Sequence, residues 1–424
     1  MTTPDILRVA ALVDLPRTPQ SGGHVKCWER LAEAAAQADL PVDLTVYFSG
    51  PNAMEVLSAK SRLRHLPPVF STANLKFLPY MPDTTDLAPY HPALARELTE
   101  FDIIHTTDCY FAFAQTAERI SRSHSIPLVT SFHTDTPSYT RIFTKQTIDK
   151  LLGAWPILRD TLIDTWQVPE RQGRTMEKKM RRHLEQCQYA IMTREEDHTL
   201  AESLLGQGRV SHLRLGIDKS LFGPHRADRE GLERDYLIPP NRVIALFVGR
   251  VDIGKNIYVL TDAIEKLVKE GLPLHLIVAG VGPAEDDVRN RLKNHVSMLG
   301  FVKPDELARL YASVDVVTLS SEVEIRSMVG VEAMASSCPA LVSSKSGVMD
   351  LFHNTPGMRR VESGAQNWAD ALRDFVTKPN QHQMMKSAAK DYSDRYLASW
   401  QDVLEKDLLS IWQKAFAKKQ HKVA

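Results

Sequence analysis

Residues 243–280 read VIALFVGRVDIGKNIYVLTDAIEKLVKEGLPLHLIVAG, two short apolar runs on either side of an amphipathic stretch. The runs Val243–Val248 and Leu274–Ala279 are typical of buried strands. Between them the apolar residues recur at helical spacing, at Ile257, Leu260, Ile264 and Leu267. The stretch therefore predicts a strand–helix–strand unit with parallel strands.

The same alternation continues in both directions along the chain and forms two series. The candidate strands of the first series are Arg8–Val13, Val42–Phe48, Ile103–His105, Leu128–Ser131, Ala190–Thr193 and Val210–Leu215; those of the second are Val243–Val248, Leu274–Ala279, Val314–Leu319 and Ala340–Val342. A polar stretch rich in glycine and proline, Gly216–Pro240, separates the two series and predicts a hinge. We therefore expect two doubly wound α/β domains, with ligands at the carboxyl ends of the strands.

The composition is that of a globular protein, with 52 Lys+Arg against 52 Asp+Glu and 43% apolar residues. This balance gives no reason to expect nucleic acid as a partner. The four cysteines form no CxxC pair, so neither a metal site nor a disulfide framework is expected. The N-terminus does not resemble a signal peptide, and no apolar run approaches the ~20 residues that span a bilayer. We expect a cytoplasmic protein, with membrane contact only as a peripheral association at the inner face.

The loop GRVDIGKN after Val243–Val248 places Arg250 and Lys255 beside a predicted helix start. Two cations at such a position can clamp a diphosphate. Taken alone, an R-x4-K spacing is more often two solvated surface cations. The next loop, AGVGPAEDD, contains Gly280 and Gly282 but has Glu285 where a dinucleotide fingerprint needs a small residue. A tight turn packing against the helix explains these glycines better than NAD binding.

Two acidic residues, Glu324 and Glu332, follow the predicted strand Val314–Leu319 in the stretch SSEVEIRSMVGVEAMASSCP. A carboxylate near a helix start can accept hydrogen bonds from both hydroxyls of a ribose or a sugar. Glu324 alone is also typical of a surface carboxylate. Glu332 has apolar neighbours on both sides, which favours a partly buried position.

Taken together, G-R-x4-K, AGVGP, LGFV (299–302) and E-x7-E followed by EAMA resemble glycosyltransferase family four. In the first half, Gly22-Gly23, FDIIHTTD, IPLVTSFHTDTP and LRLGIDKSLFGP resemble the same family. The resemblance implies a retaining, nucleotide-sugar-dependent enzyme of the GT-B fold, with two Rossmann-like domains facing a central cleft. It also implies that the last helix crosses back onto the N-terminal domain. That helix would carry the apolar stripe Tyr396, Trp400, Leu404, Leu408, Ile411 and Trp412.

The domain boundaries that follow are 1–218 for acceptor binding, 219–391 for nucleotide-sugar binding and 392–424 for the returning helix. The resemblance implies that Arg250 and Lys255 neutralise the leaving diphosphate, and that Glu332 holds the ribose hydroxyls. It further implies that Glu324 contacts the transferred sugar and that His133 bonds its hydroxyls from the opposite domain. The other donor-binding residues implied are Gly22, Gly23, Ser327, Met328 and Val329.

The chain departs from the family at Ile325-Arg326-Ser327, where glycines usually follow the first glutamate. Two interpretations of Arg326 are open: a solvated loop residue, or a contact to an anionic sugar such as a uronic acid or a sulfonated sugar. The departure leaves the donor undefined, and it also fits a weak or inactive enzyme.

No convincing D-x-D motif follows a strand, so we expect the two cations to replace a metal ion and no cofactor to be needed. The donor would be a UDP- or GDP-linked sugar, transferred with retention by a front-face reaction. A lipid-linked or glycan acceptor is expected, as in glycan or glycolipid biosynthesis. Basic amphipathic stretches at 59–70, 141–155 and 177–183 fit an anionic membrane surface, and they fit solvated helix faces equally well. The alternatives are a GT-B epimerase and a non-catalytic nucleotide-sugar-binding protein.

Overall fold

The computed structural model describes residues 6–18, 21–74, 84–193, 195–322, 324, 327–352 and 354–423. The chain divides into two compact units. Unit 1 consists of Met1–Arg214 together with Trp400–Ala424, and unit 2 is Leu215–Ser399.

Unit 1 is built on a largely parallel sheet flanked by helices. In chain order its elements before the hinge are β1 (Leu7–Pro16), α1 (Gly23–Gln37), β2 (Val42–Ser49), β3 (Ala53–Ser58), β4 (Ser61–Leu66), α2 (Pro92–Leu98), β5 (Ile103–Thr106), α3 (Ala112–His124), β6 (Leu128–Ser131), α4 (Thr136–Leu152), α5 (Pro156–Asp160), a π-helical turn (Thr161–Thr165), α6 (Val168–Gln186), β7 (Tyr189–Met192), α7 (Glu195–Leu205) and β8 (Val210–His212). The strand order is β3-β4-β2-β1-β5-β6-β7-β8, and β3 alone runs antiparallel to its neighbour among the described strands. Strands β2, β4 and β3 lie on one side of β1, and strands β5 to β8 lie on the other. The change of side between β2 and β5 is the topological switch point, at which doubly wound sheets bind ligands.

Unit 2 repeats this architecture on a second parallel sheet. Its elements are α8 (Arg229–Asp235), β9 (Val243–Val248), α9 (Ile257–Lys269), β10 (Leu274–Ala279), α10 (Glu285–Leu292), β11 (Val296–Gly300), α11 (Pro304–Ser313), β12 (Val316–Leu319), α12 (Met328–Ala335), β13 (Ala340–Ser343), α13 (Val348–Leu351), β14 (Met358–Val361), α14 (Ala365–Thr377) and α15 (Pro379–Tyr396). The strand order is β11-β10-β9-β12-β13-β14. Along β9, Ile244 and Leu246 join one buried cluster while Ala245 and Phe247 join another. Both faces of the sheet are therefore covered, as parallel sheets require.

The C-terminal segment completes unit 1. It consists of α16 (Trp400–Asp402), a π-helical stretch (Val403–Leu409) and α17 (Ser410–Val423). Leu404, Leu408 and Trp412 are fully buried, and Trp412 packs edge-on against His105 of β5. The returning helix predicted as part of the fold class is therefore confirmed. Tyr396 was wrongly included in the apolar stripe, because its side chain is 58% exposed.

Several segments were described incompletely by the sequence patterns. The edge hairpin of β3 and β4 and the edge strands β11 and β14 were missed, because their partly exposed or basic residues do not form buried apolar runs.

The unit boundaries differ slightly from the predicted domain boundaries, because residues 215–218 and 392–399 lie in unit 2. There Gly216 pairs with Ala398, and Tyr392 packs on Phe352.

Candidate active site

The loop after β9 is held in a close backbone approach to the loop after β10. Gly249 has φ +143°, in the region that favours glycine. A Cβ atom on Gly280 would lie 1.8 Å from the carbonyl oxygen of Gly249, and one on Gly282 would lie 2.4 Å from that of Val251. The Gly280–Gly282 pair therefore serves packing, as the sequence indicated, but the neighbour is this loop rather than the helix. Glu285 accepts a hydrogen bond from Gly282 N at 2.7 Å, which fixes the turn.

Arg250 lies on this loop with a partly exposed side chain. Its Nε atom is 3.3 Å from Oδ2 of Asp252. The same Nε atom is buried and makes no hydrogen bond to any part of the chain that the structure describes. The Asp252 carboxylate is therefore the charge that faces Nε, and an anion can approach Arg250 only at the exposed part of its side chain, which is 32% exposed.

Lys255 is positioned by its backbone and by an ion pair. Oδ1 of Asp252 accepts a hydrogen bond from Lys255 N at 2.9 Å, and Ser320 Oγ donates to the Lys255 carbonyl at 2.9 Å. Its Nζ atom pairs with Oε2 of Glu324, which follows β12. The structure thus brings together two predicted site residues from the carboxyl ends of neighbouring strands.

The start of α12 supplies the remaining predicted residues of unit 2. Ser327 is buried and caps the helix, because its Oγ accepts a hydrogen bond from Gly330 N at 3.1 Å. Met328 and Val329 begin the helix and are half-buried. One turn later Glu332 accepts a hydrogen bond from the hydroxyl of Tyr311 at 2.8 Å. Burial, followed by the carboxylate of Glu332, raises the pKa of Tyr311, which therefore stays a protonated donor.

In unit 1, Gly22 and Gly23 lie at the N-terminus of α1, after β1. Gly22 is the N-cap residue, with φ −68° and ψ 176°, a conformation open to any residue. A Cβ atom there would have no neighbour within 4 Å. Nothing in the described fold therefore requires glycine at position 22.

His133 follows β6, and its buried side chain lies beside the rings of Trp28 and His24. Its Nε2 atom lies 2.9 Å from Ser131 Oγ and accepts a hydrogen bond from the Trp28 indole at 3.3 Å. Its ring stacks on His24 with a centroid distance of 4.4 Å and an interplanar angle of 5°. Since His24 directly follows Gly23, the structure brings the glycine pair and His133 to the same end of the sheet.

Several residues around these sites were missed in the sequence, namely His24, Trp28, His105, Ser131, Asp252 and Tyr311. Four of them occur within the motifs GGHVKCW, FDIIHTTD and TSFHTD, where the polar and aromatic residues adjoin the quoted glycines and histidine. Asp252 is part of GRVDIGKN. Tyr311 lies 21 residues from Glu332, so no local spacing indicates their contact.

Arg326 lies outside the described residues. Among those that the structure describes, no group of three or more His, Cys, Asp or Glu side chains is arranged to hold a metal ion. All four cysteines are buried, and none of them forms a disulfide within the described residues. In the described ranges no helix combines the length and apolarity needed to cross a bilayer.

The three basic stretches differ in their surroundings. In the edge hairpin, Arg62 pairs with Asp43 at 2.7 Å and Arg64 with Glu97 at 2.7 Å, which neutralises much of that stretch. Arg141 is likewise engaged by Glu170 and Glu177. By contrast, α6, which contains the third stretch, carries three exposed cations on one face, of which only Lys178 belongs to residues 177–183; large apolar side chains are exposed in the preceding segment. These cations are Arg171, Arg174 and Lys178, and they line an open pocket.

Most of the chain matches glycosyltransferase family models. The family model for Glycosyltransferase Family 4 matches residues 21–221, and the model for Glycosyl transferases group 1 matches residues 228–392. Among curated relatives, the sulfoquinovosyl transferase of Arabidopsis thaliana is 24% identical over 318 residues, covering 72% of this chain and 56% of that protein. The D-inositol 3-phosphate glycosyltransferase of Corynebacterium aurimucosum is 24% identical over 411 residues, covering 92% and 90%. For the first curated relatives, the match spans about half of their own length.

Solved structures show the fold. Sucrose-phosphate synthase from Thermosynechococcus elongatus superposes with a TM-score of 0.68 at 16% identity, covering 97% of this chain and 100% of that chain. HepE of Anabaena, solved in complex with UDP and glucose, superposes with a TM-score of 0.64 at 14% identity, covering 96% and 99%. The predicted GT-B fold class, with two Rossmann-like α/β units, is confirmed. The chain belongs to the family four glycosyltransferases, with a group 1 glycosyl transferase region in its second half.

Proposed function

We propose that this protein is a retaining glycosyltransferase that moves a sugar from a UDP- or GDP-linked donor to an acceptor hydroxyl. The observation that carries the proposal is the convergence of Arg250, Lys255 and Glu324 at the carboxyl ends of β9 and β12. Two cations and a carboxylate at the ligand-binding edge of a parallel sheet suit a sugar diphosphate. The family relationship supports the same chemistry, and HepE shows a related fold holding UDP and glucose.

In this proposal the donor diphosphate contacts Arg250 and Lys255, and Glu332 receives the ribose hydroxyls. Glu324 contacts the transferred sugar, and His133 hydrogen-bonds its hydroxyls. Gly22 and Gly23 allow close backbone approach, while Ser327, Met328 and Val329 present the first turn of α12 to the donor. The partial exposure of the Arg250 side chain, 32%, supports its assignment.

The reaction breaks the bond between the anomeric carbon and the diphosphate oxygen and forms a bond to the acceptor oxygen on the same face. The acceptor proton passes to the departing diphosphate. Negative charge grows on the diphosphate as the bond breaks, and fixed cations lower the energy of that state. Arg250 and Lys255 thus supply the charge stabilisation, and no enzyme carboxylate acts as nucleophile.

Product analysis tests this proposal directly. The protein is incubated with UDP- and GDP-sugars and a panel of lipid and glycan acceptors, with and without EDTA. We expect transfer that resists the chelator and a product whose anomeric configuration, read by NMR, equals that of the donor. An inverted product or loss of activity with EDTA overturns the mechanism. Donor binding without transfer to any acceptor favours a non-catalytic protein.

We further propose an anionic membrane surface as the location of the acceptor. Trp155, Ile157 and Trp166 are 67%, 85% and 53% exposed and lie close in sequence to the cationic face of α6. Exposed aromatic and basic side chains together favour the interface of an anionic bilayer. Sedimentation with vesicles of phosphatidylcholine, with and without phosphatidylglycerol, tests this. Binding should require the anionic lipid and weaken in Arg171→Ala/Arg174→Ala, whereas Arg289→Ala serves as an exposed control on unit 2.

A further inference from the structure

A continuous chain of hydrogen bonds links the C-terminal helix to His133 within unit 1. The indole Nε1 of Trp412 donates to Nδ1 of His105 at 2.9 Å. Nε2 of His105 lies 3.0 Å from Ser131 Oγ, which in turn lies 2.9 Å from Nε2 of His133. Trp412, His105 and Ser131 are each fully buried, so this chain is shielded from water.

The directions of the two hydrogen bonds made by His105 follow from the Trp412 indole. An indole nitrogen can only donate, so Nδ1 of His105 must accept. A neutral His105 then carries its proton on Nε2 and donates it to Ser131 Oγ. The Ser131 hydroxyl can then donate to Nε2 of His133, which lies 2.9 Å away. Burial lowers the pKa of His105 to about 3, which keeps this ring neutral at physiological pH.

The Trp28 indole determines that Nε2 of His133 is unprotonated. The Trp28 indole also points at Nε2 of His133, at 3.3 Å, and it too can only donate. Nε2 therefore accepts from two sides, and a neutral ring has its proton on Nδ1. The His133 ring also stacks on His24 at a centroid distance of 4.4 Å, which restricts its rotation.

We propose that Trp412 is a positioning residue that acts through His105 and Ser131 to hold His133 as the neutral tautomer protonated on Nδ1. In this state Nδ1 of His133 carries the ring proton, so a sugar hydroxyl assigned to this ring meets a donor and not a base. The consequence for sugar binding rests on the function proposed above, whereas the tautomer assignment does not. The C-terminal segment thereby contributes to the active site without contacting the ligand.

NMR of the whole protein with ¹⁵N-labelled histidine tests the tautomers. Long-range ¹H–¹⁵N correlation spectra, assigned with His105→Gln and His133→Gln, distinguish protonated from unprotonated ring nitrogens. We expect His133 to be protonated on Nδ1 only and His105 on Nε2 only. The opposite tautomer at either ring, or an imidazolium at neutral pH, overturns the proposal.

Substitutions then test the role of Trp412. Trp412→Phe keeps a buried aromatic ring but removes the donor, so the His105 signals should become those of mixed tautomers and the His133 Nε2 signal should shift. Trp400→Phe is the matched control in the same segment and should leave both rings unchanged. Ser131→Ala should uncouple His133 from Trp412, and Ser131→Thr, which keeps the hydroxyl, should restore the coupling. Unchanged His105 and His133 signals in Trp412→Phe contradict the proposal.

Kinetics separate this inference from the proposed function. In Trp412→Phe, kcat/KM for the donor should fall about 3- to 10-fold, the effect of weakening one hydrogen bond. Affinity for UDP or GDP without a sugar should not change, since His133 is assigned to the sugar. An equal loss of affinity for the free nucleotide contradicts the positioning role. If the tautomers are as stated but no nucleotide sugar is turned over, the proposed function fails and the tautomer assignment stands.

Discussion

The ammonium group of Lys255 donates a hydrogen bond to Oε2 of Glu324, which lies 69 residues further along the chain. Both side chains are partly exposed, at 24% and 21%. This pair therefore engages the cation that we assign to the diphosphate. A bound donor must share Lys255 with Glu324 or displace it.

Removing the charge of Lys255 should weaken nucleotide binding. We expect Lys255→Met to raise the Kd for the UDP or GDP that the enzyme uses by about 10- to 100-fold, because a charge-assisted hydrogen bond is lost. Isothermal titration calorimetry measures this. Lys269→Met, at the exposed far end of α9, should bind like the wild type. Equal affinities in both variants would place the diphosphate elsewhere.

Glu324→Gln should have opposite effects on binding and turnover. Without the carboxylate, Lys255 loses its ion pair with residue 324, and repulsion of the diphosphate is removed. We expect tighter binding of free UDP or GDP together with a lower kcat, because the sugar loses its assigned contact. Weaker nucleotide binding combined with unchanged turnover would contradict this division of roles.

The hydrogen bond from Tyr311 to Glu332 should matter for the ribose. Tyr311→Phe removes the donor that orients the carboxylate, so we expect nucleotide affinity to fall about 3- to 10-fold. Tyr236→Phe is a matched control, since the Tyr236 hydroxyl donates to Glu306 at 2.6 Å in the same unit. Each variant should lose about 0.5–1.5 kcal/mol of unfolding free energy. An affinity loss shared by both variants would mean that the effect is only structural.

Gly22 should be required by the ligand and not by the fold. Gly22→Ala should leave the thermal midpoint nearly unchanged, because the backbone is extended and the space is open, but it should reduce donor turnover. Gly280→Ala provides the contrast, since its Cβ would collide with the Gly249 carbonyl, and this variant should be strongly destabilised. Full activity in Gly22→Ala would remove Gly22 from the site.

Stability should depend on pH through a buried ion pair in unit 1. Nδ1 of His183 lies 2.6 Å from Oε1 of Glu118, and Nε2 lies 2.9 Å from Thr106 Oγ1, which donates its own proton to Thr130. Both ring nitrogens therefore donate, so the ring is an imidazolium. Burial opposes this charge, but the interactions with Cys187 and Glu118 outweigh it and raise the pKa of His183 to about 10.

The sign of the effect follows from the raised pKa. The stabilisation is complete below the unfolded value of about 6.5 and is lost as pH rises towards about 10. Urea midpoints of wild type and Glu118→Gln, compared at several pH values, measure it. Their difference should be largest near neutral pH and should shrink as pH increases. A difference that does not vary with pH would contradict the ion pair.

The apolar periodicity of the sequence is sufficient to predict many of the strands. The strands Leu128–Ser131, Val243–Val248 and Leu274–Ala279 occur at the predicted positions, because a strand buried on both faces must be apolar throughout. Topology then places their loops at one edge of each sheet, which is why Arg250, Lys255 and Glu324 could be selected from the sequence. Edge strands such as β14 need only part of their surface covered and lack this signal.

The sequence by itself therefore determined two α/β units, the family, and the loops in which the chemistry should be sought. Only the tertiary structure decided the partners: Lys255 with Glu324, Tyr311 with Glu332, and Trp412 with His105, which is 307 residues away. The physical reason is that backbone periodicity is a local property, readable over a few residues. A hydrogen bond between side chains depends instead on the final positions of elements that are far apart in the chain.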